Sequence, residues 1–202
     1  MTTLTNSSLR RDKWFLSDAQ LHCLYPESIQ LLARRHWTPL HIAQMVVQFL
    51  TPTKDTRVLD IGSGVGKFCL AGAYYQPLAS FFGVEQREDL IEHAEFAKAM
   101  LDLKNAYFIN SNFTQLDFKQ YDHFYFYNSF YENLSDTGKI DVSITCSFEL
   151  YNLYNRILYR KLDEMPPGTR LATYHCLEDN FPGDYHLVES KTDCLLKFWL
   201  KI

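Results

Sequence analysis

The sequence predicts an α/β fold: a doubly wound, mostly parallel sheet of seven strands, closed by a C-terminal antiparallel hairpin and preceded by N-terminal helices. Three observations predict it. From Arg57 onward, short runs rich in β-branched and aromatic residues alternate with longer stretches of helical periodicity, the pattern of parallel strands joined by crossover helices. One of those runs leads directly into a glycine-rich turn and then a helix, over residues 58–67. At the end the alternation breaks, because residues 185–191 and 195–201 are two β-rich runs separated only by a short polar turn.

The first fifty residues are predicted helical. Residues 16–35 carry apolar side chains at helical spacing, interrupted at Tyr25-Pro26, and residues 40–50 form a further helix with Thr38 as N-cap and Pro39 at the first helical position. Strands follow at 57–61, 80–84, 106–109, 122–127 and 169–175, interleaved with helices at 67–75, 87–101 and 143–162. The helix at 143–162 carries Phe148, Tyr151, Tyr154 and Tyr159 with a basic end of Arg156, Arg160 and Lys161, and reads as an amphipathic helix whose charges face solvent. Neither an internal repeat nor a low-complexity linker interrupts this order. The expected organisation is a single domain, 1–202, with a helical extension at 1–50 and an α/β core at 51–202.

The composition agrees with an ordinary globular chain. Of 202 residues, 47% are hydrophobic and 22% charged, which excludes a disordered, collagen-like or coiled-coil chain. With 20 Lys and Arg against 24 Asp and Glu the net charge is -4, so the overall field repels polyanions and bulk electrostatic binding of nucleic acid is disfavoured. The five cysteines (Cys23, Cys69, Cys146, Cys176 and Cys194) lie far apart without Cys/His pairs at metal-ligand spacing, so reduced thiols and no metal site are expected. The polar start from Met1 to Arg11 lacks the apolar run of a signal peptide, and no stretch approaches a membrane span; a cytoplasmic protein with no membrane association is expected.

The sharpest feature is Val58-Leu59-Asp60-Ile61-Gly62-Ser63-Gly64-Val65-Gly66-Lys67. Glycines in such a turn allow positive φ and let a ligand approach closer than a Cβ would permit. A P-loop needs Gly at 61 and Ser or Thr at 68, where Ile61 and Phe68 stand. The dinucleotide fingerprint needs a glycine at 67, where Lys67 stands. The strand followed by D-x-G-x-G-x-G resembles motif I of the class I S-adenosylmethionine-dependent methyltransferases, which implies a Rossmann-like core and S-adenosylmethionine as cofactor. In that resemblance Asp60, Gly62, Ser63 and Gly64 serve the amino-acid end of the cofactor. Glu85, 25 residues after Asp60 at the next strand's carboxyl end, accepts both ribose hydroxyls, with Gln86 beside it. At the third strand's end Asn112 meets the adenine amino group and Phe113 packs on the ring. Alone, Asp60 or Glu85 reads equally well as a helix N-cap; the motifs persuade by their order and spacing.

The fourth strand ends at Asn128-Ser129-Phe130-Tyr131, beside the transferable methyl in this fold. Methyl transfer is a displacement at carbon, so its main demand is alignment of an unprotonated nucleophile. The segment resembles in part the N-P-P-Y motif of amino-methyltransferases, and more closely the N-N-F segment of the histone lysine methyltransferases that lack a SET domain, the disruptor-of-telomeric-silencing family, whose motif I also reads D-L-G-S-G-V-G. That resemblance implies Asn128 and Tyr131 as catalytic residues, Asn128 also touching the cofactor, and an amino nitrogen, lysine-like, as acceptor. A protein or small-molecule acceptor is expected ahead of nucleic acid. Tyr25 and the Trp37-Thr38-Pro39 segment are candidates to fold over the cofactor, and His175 reads as a buried structural histidine. Two alternatives stay open, a cofactor-binding protein without catalysis and a nicotinamide-dependent oxidoreductase.

Overall fold

A computed structural model describes residues 12–134, 139–176 and 181–202; the polar segment from Met1 to Arg11, read above for targeting signals, lies outside them. Among the described residues a 3-10 turn at Lys13–Phe15 comes first, followed by four α-helices: α1 (Asp18–His22), α2 (Glu27–Gln30), α3 (Ala33–His36) and α4 (Leu40–Leu50). The α/β alternation follows as β1 (Arg57–Ile61), α5 (Lys67–Tyr75), β2 (Ser80–Glu85), α6 (Glu88–Leu101), β3 (Ala106–Asn110), β4 (His123–Phe126), α7 (Phe148–Asp163) and β5 (Arg170–Tyr174). The antiparallel pair β6 (Tyr185–Lys191) and β7 (Leu196–Lys201) ends the chain.

The sheet runs β3-β2-β1-β4-β5-β7-β6, with parallel pairing from β3 to β5 and antiparallel pairing at β5–β7 and β7–β6. The chain therefore winds outward from β1 in one direction and from β4 in the other. Strand order reverses between β1 and β4, which opens a crevice beyond their carboxyl ends, the place where ligands of open α/β sheets bind. Side-chain alternation divides the core into two layers. Val58, Phe81, Tyr125 and Phe198 pack under the N-terminal helices, α5 and α6, whereas Leu59, Ile61, Phe124, Phe126 and Trp199 pack with Leu158 and Leu162 of α7. Each fully buried Leu or Phe contributes roughly 1.5 to 3 kcal/mol to this arrangement.

Two local expectations differ from the structure. Thr38 does not cap α4: its hydroxyl bonds Tyr125 Oη at 2.8 Å, Pro39 takes the N-cap position, and the Leu40 amide donates to Asp18 Oδ1 at 3.0 Å. A carboxylate from α1 thus satisfies an amide that a local cap would otherwise have covered. The last crossover helix starts at Phe148 instead of residue 143, because Ser147 Oγ accepts from the Leu150 amide at 3.2 Å and sets the helix start. Ahead of it, Asp141 Oδ1 accepts from both the amide and the hydroxyl of Ser143, which bends that stretch into a turn.

Candidate cofactor and acceptor site

A cavity of about 550 Å³ fills the crevice at the β1–β4 reversal. Four strand ends supply its walls: Gly62 and Gly64 after β1, Glu85 to Arg87 after β2, Ser111 and Phe113 after β3, and Asn128 to Asn133 after β4. The segment from α3 to Trp37 covers one side, and Tyr154 of α7 closes another. The glycine turn that begins this arrangement is enforced sterically. Gly62 and Gly66 have φ of +79° and +76°, and a Cβ would strike Ser129 at the first and the Phe108 ring at the second.

Glu85 is nearly buried, and its carboxylate organises the turn. Oε1 accepts from the amides of Gln86 (2.8 Å) and Arg87 (3.0 Å), and Oε2 accepts from the Gly64 amide (3.2 Å). Of about four acceptor sites on a carboxylate, three are used, so Glu85 has room for one hydroxyl directly, where two were expected. Burial raises its pKa above the usual carboxylate value, opposed by those amides and by Arg87.

Arg87 is the hub of the wall. Its guanidinium, 2% exposed, grips Glu132 through both Nη atoms (3.2 and 2.7 Å), meets Asp141 through Nε at 3.0 Å, and lies 3.7 Å from Glu85 Oε1. One cation thereby ties the end of β2 at Glu85 to the post-β4 loop at Glu132. Burial alone would lower its pKa, but the three carboxylates raise it overall.

Asn128 adopts φ +36°, a left-handed conformation that Asn tolerates better than most residues. The turn is pinned by Ser129 Oγ donating to the Ile61 carbonyl at 2.7 Å and by the Tyr131 amide donating to Asn128 O at 3.0 Å. Its side-chain amide lines the cavity and makes no hydrogen bond to the described residues, leaving both a donor and an acceptor for a ligand. Phe113 stacks on Phe130 (centroids 5.0 Å apart) with Tyr154 edge-on at 5.6 Å, forming an aromatic wall, and Tyr131 stands at the mouth, 50% exposed.

Three residues expected at the cofactor lie off the main cavity. Strand alternation turns Asp60 toward the N-terminal helices, where it lines a small recess with Ser63, Trp37, Thr38 and Tyr125. Burial pushes its pKa up to about 8, against a hydrogen bond from Cys69 and with help from the charge of Glu85. The folded state therefore holds a proton that the unfolded chain releases between about pH 4 and pH 8, and stability falls as pH rises through that window. The lowered pKa values of His22, His36, His123 and His175 act in the opposite direction, so the Asp60 contribution is read by difference: Asp60→Asn should move the urea midpoint at pH 8 upward relative to that at pH 5 when compared with the wild type. Asn112 is engaged elsewhere: its amide nitrogen donates to Gln86 Oε1 (2.8 Å) and Tyr154 Oη (2.9 Å), and Oδ1 caps the Thr114 amide (3.0 Å). Beside it, Ser111 and Phe113 face the cavity.

Other residues around the cavity depart from the sequence expectation. His175 is exposed at the mouth, with φ +56°, and stacks on Tyr127; it is not a buried structural histidine. Tyr25 is buried and donates to the Val65 carbonyl at 3.1 Å, fastening the N-terminal helices onto the glycine turn without lining the cavity. Lys67 makes an ion pair with Asp18 in the same contact region. The partners of Arg87 and the α3 wall had no local signature. Among the described residues no cluster of His, Cys, Asp and Glu forms a metal site, and no helix is long and apolar enough to cross a membrane.

The donor set suits the expected cofactor. Gly64 lines the cavity, a Cβ built on it meets nothing within 4 Å, and Glu85 keeps one acceptor position, so the turn and the end of β2 leave an open cradle for a close-approaching ligand that donates a hydroxyl. Fold and site together define a class I methyltransferase architecture with S-adenosylmethionine as its methyl donor. The model of the methyltransferase domain family matches residues 52–194, and the chain belongs to that family. Among solved structures, TrmN from Thermus thermophilus superposes with a TM-score of 0.61 at 17% identity, over 86% of this chain and 52% of that one. An S-adenosylmethionine-dependent methyltransferase from Aquifex aeolicus gives 0.57 at 13% identity, covering 88% of this chain and all of that one. An RNA methyltransferase from Salinibacter ruber, with S-adenosyl-L-homocysteine bound, gives 0.55 at 14%, covering 81% and 90%. These likenesses concern the fold.

Among curated proteins, a tRNA (guanine-N(7)-)-methyltransferase from Synechococcus sp. (strain JA-3-3Ab) is 46% identical over 54 residues, which are 27% of this chain and 23% of that protein. The corresponding Nostoc sp. protein (strain PCC 7120) is 30% identical over 86 residues, 43% of this chain and 39% of that one, so the chain covers less than half of these relatives. Two expectations are corrected by these matches. The preference for a protein or small-molecule acceptor over nucleic acid is overturned, because these relatives are tRNA methyltransferases. A net charge averages over the whole surface and does not describe a cavity mouth. The likeness to the non-SET histone lysine methyltransferases is not supported either: the D-x-G-S-G-V-G turn answers the backbone demands of the cofactor and carries no information about the acceptor.

Proposed function

We propose that this chain transfers a methyl group from S-adenosylmethionine to a nitrogen of an RNA base, with tRNA as the substrate class to test first. The observation that carries the reading is the pairing of an uncommitted Asn128 amide with an aromatic wall at the carboxyl end of β4, in a chain whose curated relatives are tRNA methyltransferases. A planar base entering the cavity meets Phe130 and the exposed ring of Tyr131, and stacking of this kind contributes about 1 to 3 kcal/mol per base.

The cofactor supplies an electrophilic methyl on a sulfonium. The residues of this chain bind, align and exclude water. Gly62, Ser63 and Gly64 cradle the amino-acid end, Asp60 supports that end from beneath the turn, Glu85 holds a ribose hydroxyl with Gln86 beside it, and Phe113 packs on the adenine, with Asn112 holding that wall through Gln86 and Tyr154. Asn128 orients the accepting nitrogen and Tyr131 stacks on the base. A ring nitrogen with a free lone pair needs no general base, which fits a cavity whose two carboxylates are engaged, Glu85 by backbone amides and Glu132 by Arg87.

The direct test is transfer of labelled methyl to unmodified tRNA transcripts, followed by digestion to nucleosides and mass spectrometry. A methylated base in the product supports the reading; donor binding without transfer to any RNA overturns it. S-adenosylhomocysteine at a hundredfold excess over its dissociation constant should stabilise the fold by about 2.7 kcal/mol in thermal melting. Glu85→Ala should weaken S-adenosylhomocysteine binding by about 1.5 to 3 kcal/mol, the range for a hydrogen bond to a charged group, as read by calorimetric titration. Wild-type affinity in that variant would remove Glu85 from the cofactor site.

A further inference from the structure

Resting on the RNA reading above, we propose that Arg34 and Arg35 form a phosphodiester grip at the cavity mouth, holding the RNA strand on either side of the base that enters. Both residues belong to α3, line the cavity and are exposed. No hydrogen bond or ion pair joins Arg34 to any described residue, so its planar fork of donors is available to a phosphate, which guanidinium groups take in bidentate fashion.

The turn that carries them is fixed in place. The Arg35 carbonyl accepts from Tyr127 Oη at 3.1 Å, which ties α3 to the end of β4. The next residue but one, Trp37, is buried against Tyr25 (ring centroids 4.8 Å apart) and His22 (4.7 Å). Two guanidinium groups are therefore presented from a packed turn next to the loop that carries Asn128.

Local charge favours an anion here although the whole chain carries -4. Glu132, the carboxylate whose field reaches α3 at His36, is itself gripped by Arg87 through two hydrogen bonds on the cavity wall. Burial lowers the pKa of His36, so this imidazole adds little to the rim, where Arg34 presents a guanidinium without a partner among the described residues and Arg35 stands beside it. The geometry of the substrate supplies the ligand. An enzyme that acts on a base within a folded RNA takes it out of its stack, and the phosphates flanking that nucleotide stay at the entrance. Cations at the mouth meet those phosphates, while Tyr131 and His175 offer rings there to stack on neighbouring bases.

The experiment measures binding and methylation of an unmodified tRNA transcript between 50 and 300 mM KCl by the wild type, the Arg34→Gln/Arg35→Gln variant and the Arg34→Lys/Arg35→Lys variant. Losing two phosphate contacts to a single strand should reduce the slope of log affinity against log salt by about 1.4, and the Lys pair should keep most of the slope. KM for the transcript should rise about tenfold in the Gln pair at 150 mM KCl, with the S-adenosylhomocysteine dissociation constant within about twofold of wild type as the check on folding. Equal slopes and equal KM in the wild type and the Gln pair, with both methylating the transcript, would overturn the grip and leave the RNA reading standing. A wild-type protein that neither binds nor methylates the transcript would overturn both. Loss of S-adenosylhomocysteine affinity in the Gln pair that the Lys pair does not restore would also count against the grip, by making these side chains part of the fold.

Discussion

Replacing Arg87 by methionine should destabilise the fold by about 3 to 5 kcal/mol, the largest stability effect expected of any single substitution in the site. The methionine side chain fills most of the volume, so the loss is electrostatic. It leaves Glu132 and Asp141 without the guanidinium that bonds them at 2.7 to 3.2 Å, and Glu85 without the charge 3.7 Å away. Glu85 already has a raised pKa in the wild type through burial, and removing the cation raises it further. The sign of the pH dependence follows. A carboxyl that is harder to ionise in the folded state holds a proton after the unfolded chain has lost it, so the variant's stability falls as pH rises above the ordinary value of 4.5. The gap between variant and wild type in urea unfolding should therefore be wider at pH 8 than at pH 5. A change under about 1 kcal/mol at pH 8 would mean that the Arg87 cluster is hydrated and contributes no more than a surface pair.

The contrast between Arg87 and the glycine turn explains which parts of this site can be read from sequence. Motif I is legible because its constraints are local: Gly62 and Gly66 hold positive φ within a few residues of the strand that precedes them, and no other residue type fits there. Strand and helix positions are legible for the same reason; helices 40–50 and 67–75 and strands 57–61 and 185–191 coincide with those expected, since alternation and helical spacing depend on near neighbours. Arg87 finds Glu132 and Asp141 at 45 and 54 residues along the chain, across a strand, a loop and a turn, and no pattern around residue 87 announces them. The α4 cap fails for a similar reason, since the carboxylate that satisfies Leu40 comes from Asp18. Asp60 shows the opposite case, a position the pleat of β1 already decides: with Leu59 and Ile61 committed to the α7 side, its side chain belongs to the face beneath the N-terminal helices. Net charge is no guide to the acceptor because it is a sum, whereas recognition at the mouth depends on the few residues that line it.

On the proposed tRNA reading, Asn128→Ala should cut the single-turnover rate of methyl transfer by on the order of 10² or more, about 2.7 kcal/mol in the barrier, while cofactor affinity stays near that of the wild type. Its side chain faces the cavity uncommitted, so substitution breaks no hydrogen bond to the described residues, and the turn keeps its other fastenings at Ser129 and Tyr131. The left-handed φ of +36° is less favourable for Ala than for Asn, which adds a local strain of up to about 1 kcal/mol that a stability measurement would detect separately. Asn128→Gly removes that strain together with the amide, so the two variants divide the contributions. Equal loss of transfer in both, with melting temperature restored in the Gly variant, assigns the effect to the missing amide. The chemistry predicts the size: a displacement at carbon depends on the line from nucleophile through methyl to sulfur, and an acceptor displaced by about 1 Å loses roughly 10²-fold. Wild-type rates in both variants would move the orienting role to the Phe130 and Tyr131 rings, whose truncation would then have to produce the loss.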